Sequence, residues 1–151
     1  MNKPDDQSQG FFIMYGESIK ALQDELVAIM GVALAKSIMF RFGFKCGNMS
    51  AREMNIKGQG AQVVEFFREI WLELGLADPV SIKQRSGKTN LKVQRTLEVS
   101  FDGKYGCDFT RGYISGLMST ITGIPQHCLE LKCVSKGDKM CEFVLEENPG
   151  K

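Results

Sequence analysis

Three cysteines and one glutamate in the last third of the chain have side chains of the types that bind metal ions. They follow the pattern C-x22-E-x2-C-x7-C, with Cys107, Glu130, Cys133 and Cys141 at its fixed positions. Thiolates and a carboxylate are good zinc ligands, and four of them complete a tetrahedral shell. A turn at residues 136–138 can return Cys141 to the side of Glu130 and Cys133. A metal at this position would fasten the start of a predicted helix, where Cys107 lies, to a terminal hairpin.

The same residues allow other interpretations. Free cysteines are often buried as small hydrophobic side chains, and Glu130 could be an exposed strand residue. The pattern has no C-x2-C pair and matches no standard zinc-finger spacing. Cys128 lies two residues before Glu130 on the same predicted strand and would point to the same face. It could replace Glu130 in a four-cysteine site for zinc or iron.

The motifs around these positions are a cysteine, a G-Y-x-x-G helix, an E-x-x-C and a G-D-x-x-C-x-F. The chain carries them in this order at residues 107, 112–116, 130–133 and 137–143. In this respect it resembles the 4-vinyl reductase domain, also called the hydrocarbon-binding domain. The resemblance is sharp over residues 101–145, and over residues 17–75 only a helical outline matches.

The resemblance implies a zinc site. In the aromatic-sensing members of this family, the sensor domains of phenol- and xylene-responsive transcription activators, the four matching positions bind zinc. The resemblance thus implies Cys107, Glu130, Cys133 and Cys141 as ligands, with Glu130 in preference to Cys128. It also implies the ligand-binding fold that nitric-oxide-signalling and Golgi-transport proteins share.

Length and composition indicate a soluble protein with one domain. The chain has 151 residues, 43% hydrophobic and 25% charged, and we expect a single domain over residues 11–147 between short tails at 1–10 and 148–151. The net charge of +1 gives no basis for a nucleic-acid surface. Five cysteines with no signal peptide before them predict a reducing cytoplasm. The longest apolar stretch, residues 26–42, contains charged residues and predicts a buried helix rather than a membrane span.

Apolar periodicity predicts helices in the first half of the chain. One long helix is expected over residues 17–44, and because it is apolar nearly all round, it would form a core or part of a homodimer. Glycines at residues 43–48 predict a break, and the capping-box pattern at residues 50–53 predicts a new helix from Ala51. A further helix is expected over residues 61–74. Asp78 and Pro79 would then close the helical half.

Alternation of apolar and polar residues predicts strands in the second half. A short strand over residues 80–84 and a long one over residues 91–101 are expected on either side of a turn. Arg95 is the exception on the apolar face of the long strand, which places it near an edge, at a pocket mouth or beside a buried anion.

A helix over residues 109–122 is expected next, with Asp108 as its N-cap. Gly112 and Gly116 on one side of it would let another backbone approach or leave space for a ligand. A hairpin of residues 126–134 and 140–146 completes an α+β fold, in which a helical N-terminal half packs on an antiparallel sheet of two β-hairpins flanking a helix.

No residue pattern indicates catalysis. The chain has no nucleophile elbow or paired base and no flavin or nicotinamide fingerprint, so we expect a protein that is not an enzyme. His127 is the only histidine and is expected at the surface or as a satisfied core residue. Cys46 is expected as a free thiol in a loop.

The predicted function is therefore binding. Ten phenylalanines and eight methionines could line a cavity for an apolar or aromatic molecule, or could simply fill the core. The candidate ligand-binding residues are Phe40, Phe44, Phe66, Phe67, Trp71, Tyr113 and Met118. Together with the resemblance, they indicate a zinc-containing, homodimeric sensor or carrier domain. The alternatives are a structural dimeric assembly module without a ligand, and an accessory factor to a tetrapyrrole vinyl reductase.

Overall fold

Four helices and four strands make up the computed structural model, which describes residues 15–58, 61–73, 75–99 and 104–147. The predicted tails, the start of the domain at residue 11 and the predicted strand end at residue 101 lie outside these ranges. The elements follow the order α1 (Gly16–Met30), α2 (Val32–Glu53), α3 (Ala61–Glu73), β1 (Ala77–Arg85), β2 (Lys88–Thr96), α4 (Asp108–Thr122), β3 (Gln126–Lys132) and β4 (Cys141–Glu147). A short 3-10 turn, Val134–Lys136, connects β3 to β4.

The strands form one antiparallel sheet in the order β1-β2-β4-β3. One hairpin pairs β1 with β2, and the other pairs β3 with β4. The two hairpins join where β2 lies beside β4, with Leu91 opposite Phe143. Both of these side chains are buried. The predicted α+β fold of two hairpins flanking a helix is confirmed.

The helix predicted over residues 17–44 is two helices. Gly31 separates them with a φ of 82°, a backbone conformation that glycine adopts without steric cost. The second helix, α2, continues to Glu53, so the predicted break at residues 43–48 and the predicted helix start at Ala51 are wrong. Two glycines inside α2 would each lower helix stability by about 1 kcal/mol relative to alanine, so their presence needs a tertiary reason.

That reason is the crossing of α2 and α4. Gly43 and Gly47 on α2 lie against the backbone of α4 at Phe109 and Tyr113. In return, Gly112 and Gly116 on α4 lie against the backbone of α2, and a Cβ atom at any of the four would collide with a carbonyl group of the other helix. The predicted close backbone approach at Gly112 and Gly116 is confirmed. The expectation that they leave space for a ligand is wrong, because α2 fills that space.

Several element boundaries differ from prediction. Asp78 and Pro79 lie inside β1, an edge strand, where an irregular register accommodates a proline that cannot donate a hydrogen bond. The strand β2 ends at Thr96 rather than at residue 101. Arg95 is exposed and lines a cleft beside the start of α1, so the edge or pocket-mouth explanation is confirmed and the buried anion is wrong. The N-cap of α4 is Cys107, and Asp108 is the first helical residue.

Side chains of α4 cover the outer edge of β3. The backbone N–H of Cys128 donates to Ser115 Oγ at 3.0 Å, and the N–H of Gln126 donates to Ser119 Oγ at 2.8 Å. Arg111 donates to the carbonyl oxygen of Cys128 at 3.4 Å. These bonds satisfy backbone groups that would otherwise be unpaired at a sheet edge.

The core lies between α4, α3 and the sheet. Its largest fully buried side chains include Trp71, Phe143, Ile114 and Leu117. Burying an aliphatic or aromatic side chain of this size contributes roughly 1.5–3 kcal/mol. None of the described helices combines the length and hydropathy needed to cross a membrane.

Candidate metal centre and neighbouring cavities

Three of the four predicted ligands form one buried cluster. Cys107 caps α4, Cys133 precedes the 3-10 turn and Cys141 begins β4. The Sγ atom of Cys107 lies 3.7 Å from that of Cys133 and 3.9 Å from that of Cys141. All three side chains are fully buried. The structure thus brings together residues that are up to 34 positions apart in the chain.

The connection between β3 and β4 shapes the cluster. Gly137 has a φ of 95°, and the Asp138 carboxylate accepts a hydrogen bond from the N–H of Cys133 at 2.9 Å. The N–H of Val134 points at Cys141 Sγ at 3.4 Å. The turn at residues 136–138 therefore returns the chain to Cys141 as predicted. A 3-10 turn precedes its glycine.

The spacing of the sulfur atoms suits a tetrahedral metal. With a zinc–sulfur bond of about 2.3 Å, two sulfurs of a tetrahedral shell lie about 3.8 Å apart. The separations of 3.7 and 3.9 Å bracket that value. Thiolate donors select soft or borderline metals such as zinc. The cluster has the donors and the dimensions to hold a metal of this class.

The thiols of Cys107 and Cys141 share hydrogen bonds within the cluster. Hydrogen bonds from Cys107 and Cys133 lower the pKa of the Cys141 thiol to about 4, and the shared hydrogen bonds raise the pKa of Cys107. Thr96 Oγ1 lies 3.2 Å from Cys107 Sγ and is buried with it. No sequence pattern indicated this contact, because Thr96 falls at the end of a strand that was predicted to continue.

Glu130, the fourth predicted ligand, lies beside the cluster. Its Oε1 accepts a hydrogen bond from the backbone N–H of Cys107 at 3.1 Å, and its Oε2 lies 3.6 Å from Lys136 Nζ. The carboxylate also interacts with the side chains of Cys107 and Cys133. Burial, followed by the charge of Cys133, raises the pKa of Glu130.

The other singled-out residues lie outside the cluster. Cys128 is fully buried on β3, and burial raises the pKa of its thiol. Cys46 is half-buried on α2, so its predicted loop position is wrong. His127 is exposed, with its ring 5.8 Å from that of Phe40, in agreement with the predicted surface position.

A buried acid that sequence reasoning missed holds the N-terminus of α4. Glu98 is only 1% exposed, and its carboxylate accepts hydrogen bonds from the N–H groups of Phe109 at 2.9 Å and Thr110 at 2.6 Å. It also accepts one from Gln23 Nε2 of α1 at 3.0 Å. Burial raises the pKa of Glu98 to about 8. The alternating pattern had placed Glu98 on the polar face of a strand, but that strand ends two residues earlier.

Six of the seven candidate ligand-binding residues divide into two groups. Phe67, Trp71, Tyr113 and Met118 are buried in the core. Phe40 and Phe44 line surface clefts beside β3. The seventh, Phe66, is partly buried against the core.

Two residues of the core group, Phe67 and Met118, line a narrow apolar gap. It lies between α3, α4 and the sheet, and its volume of about 10 Å³ admits roughly one water-sized sphere. Its walls are Phe67, Ile82, Thr89, Leu91, Ile114, Met118 and Leu145. Trp71 stacks on Phe67 with ring centroids 4.4 Å apart, and its buried Nε1 has no hydrogen-bond partner within the described part of the chain. Buried polar atoms normally have partners, so this orphaned donor, on a side chain that packs against a wall residue of the gap, is unusual.

Comparisons with known proteins agree with this architecture. Residues 103–147 match the 4-vinyl reductase domain, and residues 7–69 match the family described as activator of aromatic catabolism. The resemblance to the 4-vinyl reductase family is confirmed. No curated protein sequence matches the chain significantly.

Solved structures show the same fold. The phenol-responsive sensory domain of the transcription activator PoxR, solved with phenol, aligns with a TM-score of 0.71 at 20% identity, over 92% of this chain and 77% of that one. A trafficking protein particle complex subunit 3 from Naegleria fowleri, covalently bound to palmitic acid, gives 0.65 at 13% identity, over 88% and 95%. An H-NOX protein from S. oneidensis gives 0.62 at 15% identity, over 98% and 82%. These likenesses place the chain in the ligand-binding fold predicted from its motifs.

Proposed function

We propose that this protein is a sensor or carrier domain for a small apolar or aromatic molecule, with one zinc ion bound by Cys107, Glu130, Cys133 and Cys141. The observation that carries the proposal is the pair of family matches. One covers the helical half and the other the cysteine cluster, and the PoxR sensory domain aligns over 92% of this chain. The proposal places this activity in a single domain over residues 11–147, without catalysis.

Zinc would have a structural role. Four protein donors fill a tetrahedral shell and leave no open position for a reacting water. Glu130 is the proposed fourth donor because its partly buried carboxylate lies beside the cluster and interacts with Cys107 and Cys133, whereas Cys128 lies outside it. Elemental analysis of the Glu130→Gln and Cys128→Ser proteins tests this choice. We expect weakened zinc retention in the first and unchanged retention in the second.

The ligand would enter the apolar gap by displacing its walls. Met118 and Phe67 line that gap, and methionine is an adaptable core side chain. The orphaned Nε1 of Trp71 supports a ligand that carries a hydrogen-bond acceptor. Because the gap is narrow, binding would favour a more open packing, and that population shift would constitute the signal.

A homodimer would transmit this signal. The helices α1 and α2 expose large apolar side chains, an arrangement that often marks an interface. These exposed side chains are those of Leu22, Ile29, Val32, Leu34, Phe42 and Met49. The described cysteines are all free thiols, which fits the proposed cytoplasmic location.

The second candidate function is a structural assembly module without a ligand. The narrowness of the gap favours it, together with the apolar surface of α1 and α2. Native mass spectrometry of freshly purified protein separates the two functions, because one spectrum gives bound metal, bound small molecule and oligomeric state. A dimer with zinc and a co-purifying small molecule supports the sensor or carrier. A dimer with zinc that never binds phenol or toluene supports the assembly module.

A further inference from the structure

A cleft of about 470 Å³ opens on the outer side of Glu130, away from the apolar gap. Its volume lies within the range of roughly 300–1,000 Å³ that small-molecule sites occupy. Three elements form its walls: Lys36 and Phe40 come from α2, Arg111 from α4, and His127 from β3.

The charges lining this cleft do not cancel. Three cations, Lys36, Arg111 and Lys136, face two acids, Asp108 and Glu130. Arg111 donates to Asp108 at 2.8 Å, and Lys136 lies 3.6 Å from Glu130. Lys36 forms no ion pair within the described part of the chain. Lys36 is thus the cation at the rim that can pair with an anionic ligand, whereas Arg111 and Lys136 lie beside acids.

The floor of the cleft is aromatic. The Arg111 guanidinium lies over the Phe40 ring, 5.2 Å from its centroid, and the His127 ring approaches the same phenylalanine at a tilt. The bonds of Arg111 to Asp108 and to the Cys128 carbonyl oxygen fix its planar group in place. A guanidinium held in this way can bind a carboxylate with little loss of side-chain entropy. Leu129, 38% exposed, adds an apolar wall.

We propose that this cleft binds an aromatic carboxylate. The carboxylate would meet Lys36 and Arg111, while the ring would rest on Phe40, His127 and Leu129. The inference rests on the proposed function only for the class of ligand, a small aromatic molecule. It concerns a different part of the molecule from the apolar gap, so the two can fail separately.

Two-dimensional amide NMR of the purified, zinc-loaded protein, titrated with benzoate and with its neutral isostere benzamide, tests the inference. We expect benzoate to shift the amide signals of Lys36, Phe40, Arg111 and His127, and to bind more weakly as salt is added. Benzamide should bind at least fivefold more weakly, roughly the ratio expected for losing exposed charge pairs. Lys36→Ala should weaken benzoate binding by about two- to fivefold.

A second lysine on the same helix provides the matched control. Lys45 is exposed on α2 and does not line this cleft, so Lys45→Ala should leave benzoate binding unchanged. Arg111→Lys keeps the charge but loses the planar fork, and should weaken binding by roughly threefold.

Three results would overturn the inference. The first is equal binding of benzoate and benzamide. The second is that benzoate shifts only the amide signals of residues at the apolar gap, such as Phe67 and Met118. The third is that benzoate shifts no amide signal up to about 10 mM, a concentration beyond which affinity is negligible. A parallel titration with phenol reports on the proposed function instead. Phenol shifts at Phe67 and Met118 would support that function even where benzoate fails.

Discussion

The cysteine cluster and the apolar gap lie along the same helix but are built in different ways. Hydrogen bonds with fixed directions position Cys107, Cys133 and Cys141, and they leave the sulfur atoms at metal-binding distances. The gap is lined by mostly apolar side chains that leave little space between them. The cysteine cluster is therefore preorganised, whereas the proposed ligand site must open. Mutations should affect the two regions differently.

The largest effect is expected at the cluster. Cys133→Ser should abolish zinc binding and destabilise the fold by several kcal/mol, since zinc binding contributes roughly 10–16 kcal/mol in small finger peptides and part of that should appear here. Zinc content and chemical denaturation, with and without a chelator, measure both effects. Cys46→Ser is the control and should change little. Zinc content and stability equal to those of the parent protein would show that the cluster is packing only.

The second largest effect is expected where α2 and α4 cross. Gly116→Ala should destabilise the protein by about 3 kcal/mol or more, because the added methyl group meets the backbone of α2 at Phe44 rather than a movable side chain. Gly16→Ala on α1 is the matched control, since its Cβ would lie 3.6 Å from the nearest atom, an ordinary contact. Thermal and urea denaturation measure the difference. Equal stability of the two variants would show that the helices can separate at little cost.

An intermediate effect is expected at Glu98. Glu98→Ala leaves the N–H groups of Phe109 and Thr110 buried without acceptors and should cost about 2–4 kcal/mol. Urea denaturation measures it, with the surface variant Glu146→Ala as a control that should lose less than about 1 kcal/mol.

The same residue predicts a pH dependence. Burial raises the pKa of Glu98 from 4.5 to about 8, so the folded state holds a proton in that interval that the unfolded state has lost. The contribution of this pKa shift to the free energy of unfolding is then fully present below pH 4.5 and declines as the pH rises to about 8. Between about pH 5 and about pH 8, the free energy of unfolding measured by urea denaturation should fall less in Glu98→Ala than in the parent protein. An identical pH dependence in both proteins would contradict the shift.

The smallest effect on stability is expected on the exposed face of α1. Ile29 is 75% exposed, so Ile29→Glu should change the free energy of unfolding by less than about 0.5 kcal/mol. It should nevertheless dissociate the proposed dimer, as sedimentation would show. A monomeric parent protein at tens of micromolar, roughly the range in which a stable interface persists, would remove the dimer from the proposal.

The two regions also differ in how far the sequence predicts them. The spacing of the cysteines left other roles open, and the resemblance of the surrounding G-D and G-Y-x-x-G motifs to a known family placed them together. Glycine alone was ambiguous. Gly31 ends a helix and was missed, whereas Gly43 lies in the middle of one and was taken for a break, because its role depends on α4, some 70 residues further along. Glu98 was missed because strand periodicity was extended beyond the end of β2.

The aromatic residues were the least predictable. Phe40 and Phe67 have the same side chain, but one lines an open cleft and the other a closed gap. Helical periodicity distinguishes a buried face from an exposed one, but it contains no information about how closely the opposing surface approaches.

The covered edge of β3 limits how copies of this chain can associate. Ser115, Ser119 and Arg111 already occupy the backbone groups through which a further strand would pair with Gln126 and Cys128. The other outer strand, β1, carries a proline and an irregular register, which also discourages strand addition. Fibril-like growth of the sheet is thereby disfavoured at both ends, and a partner that docks on this protein would have to do so through its helices or its clefts.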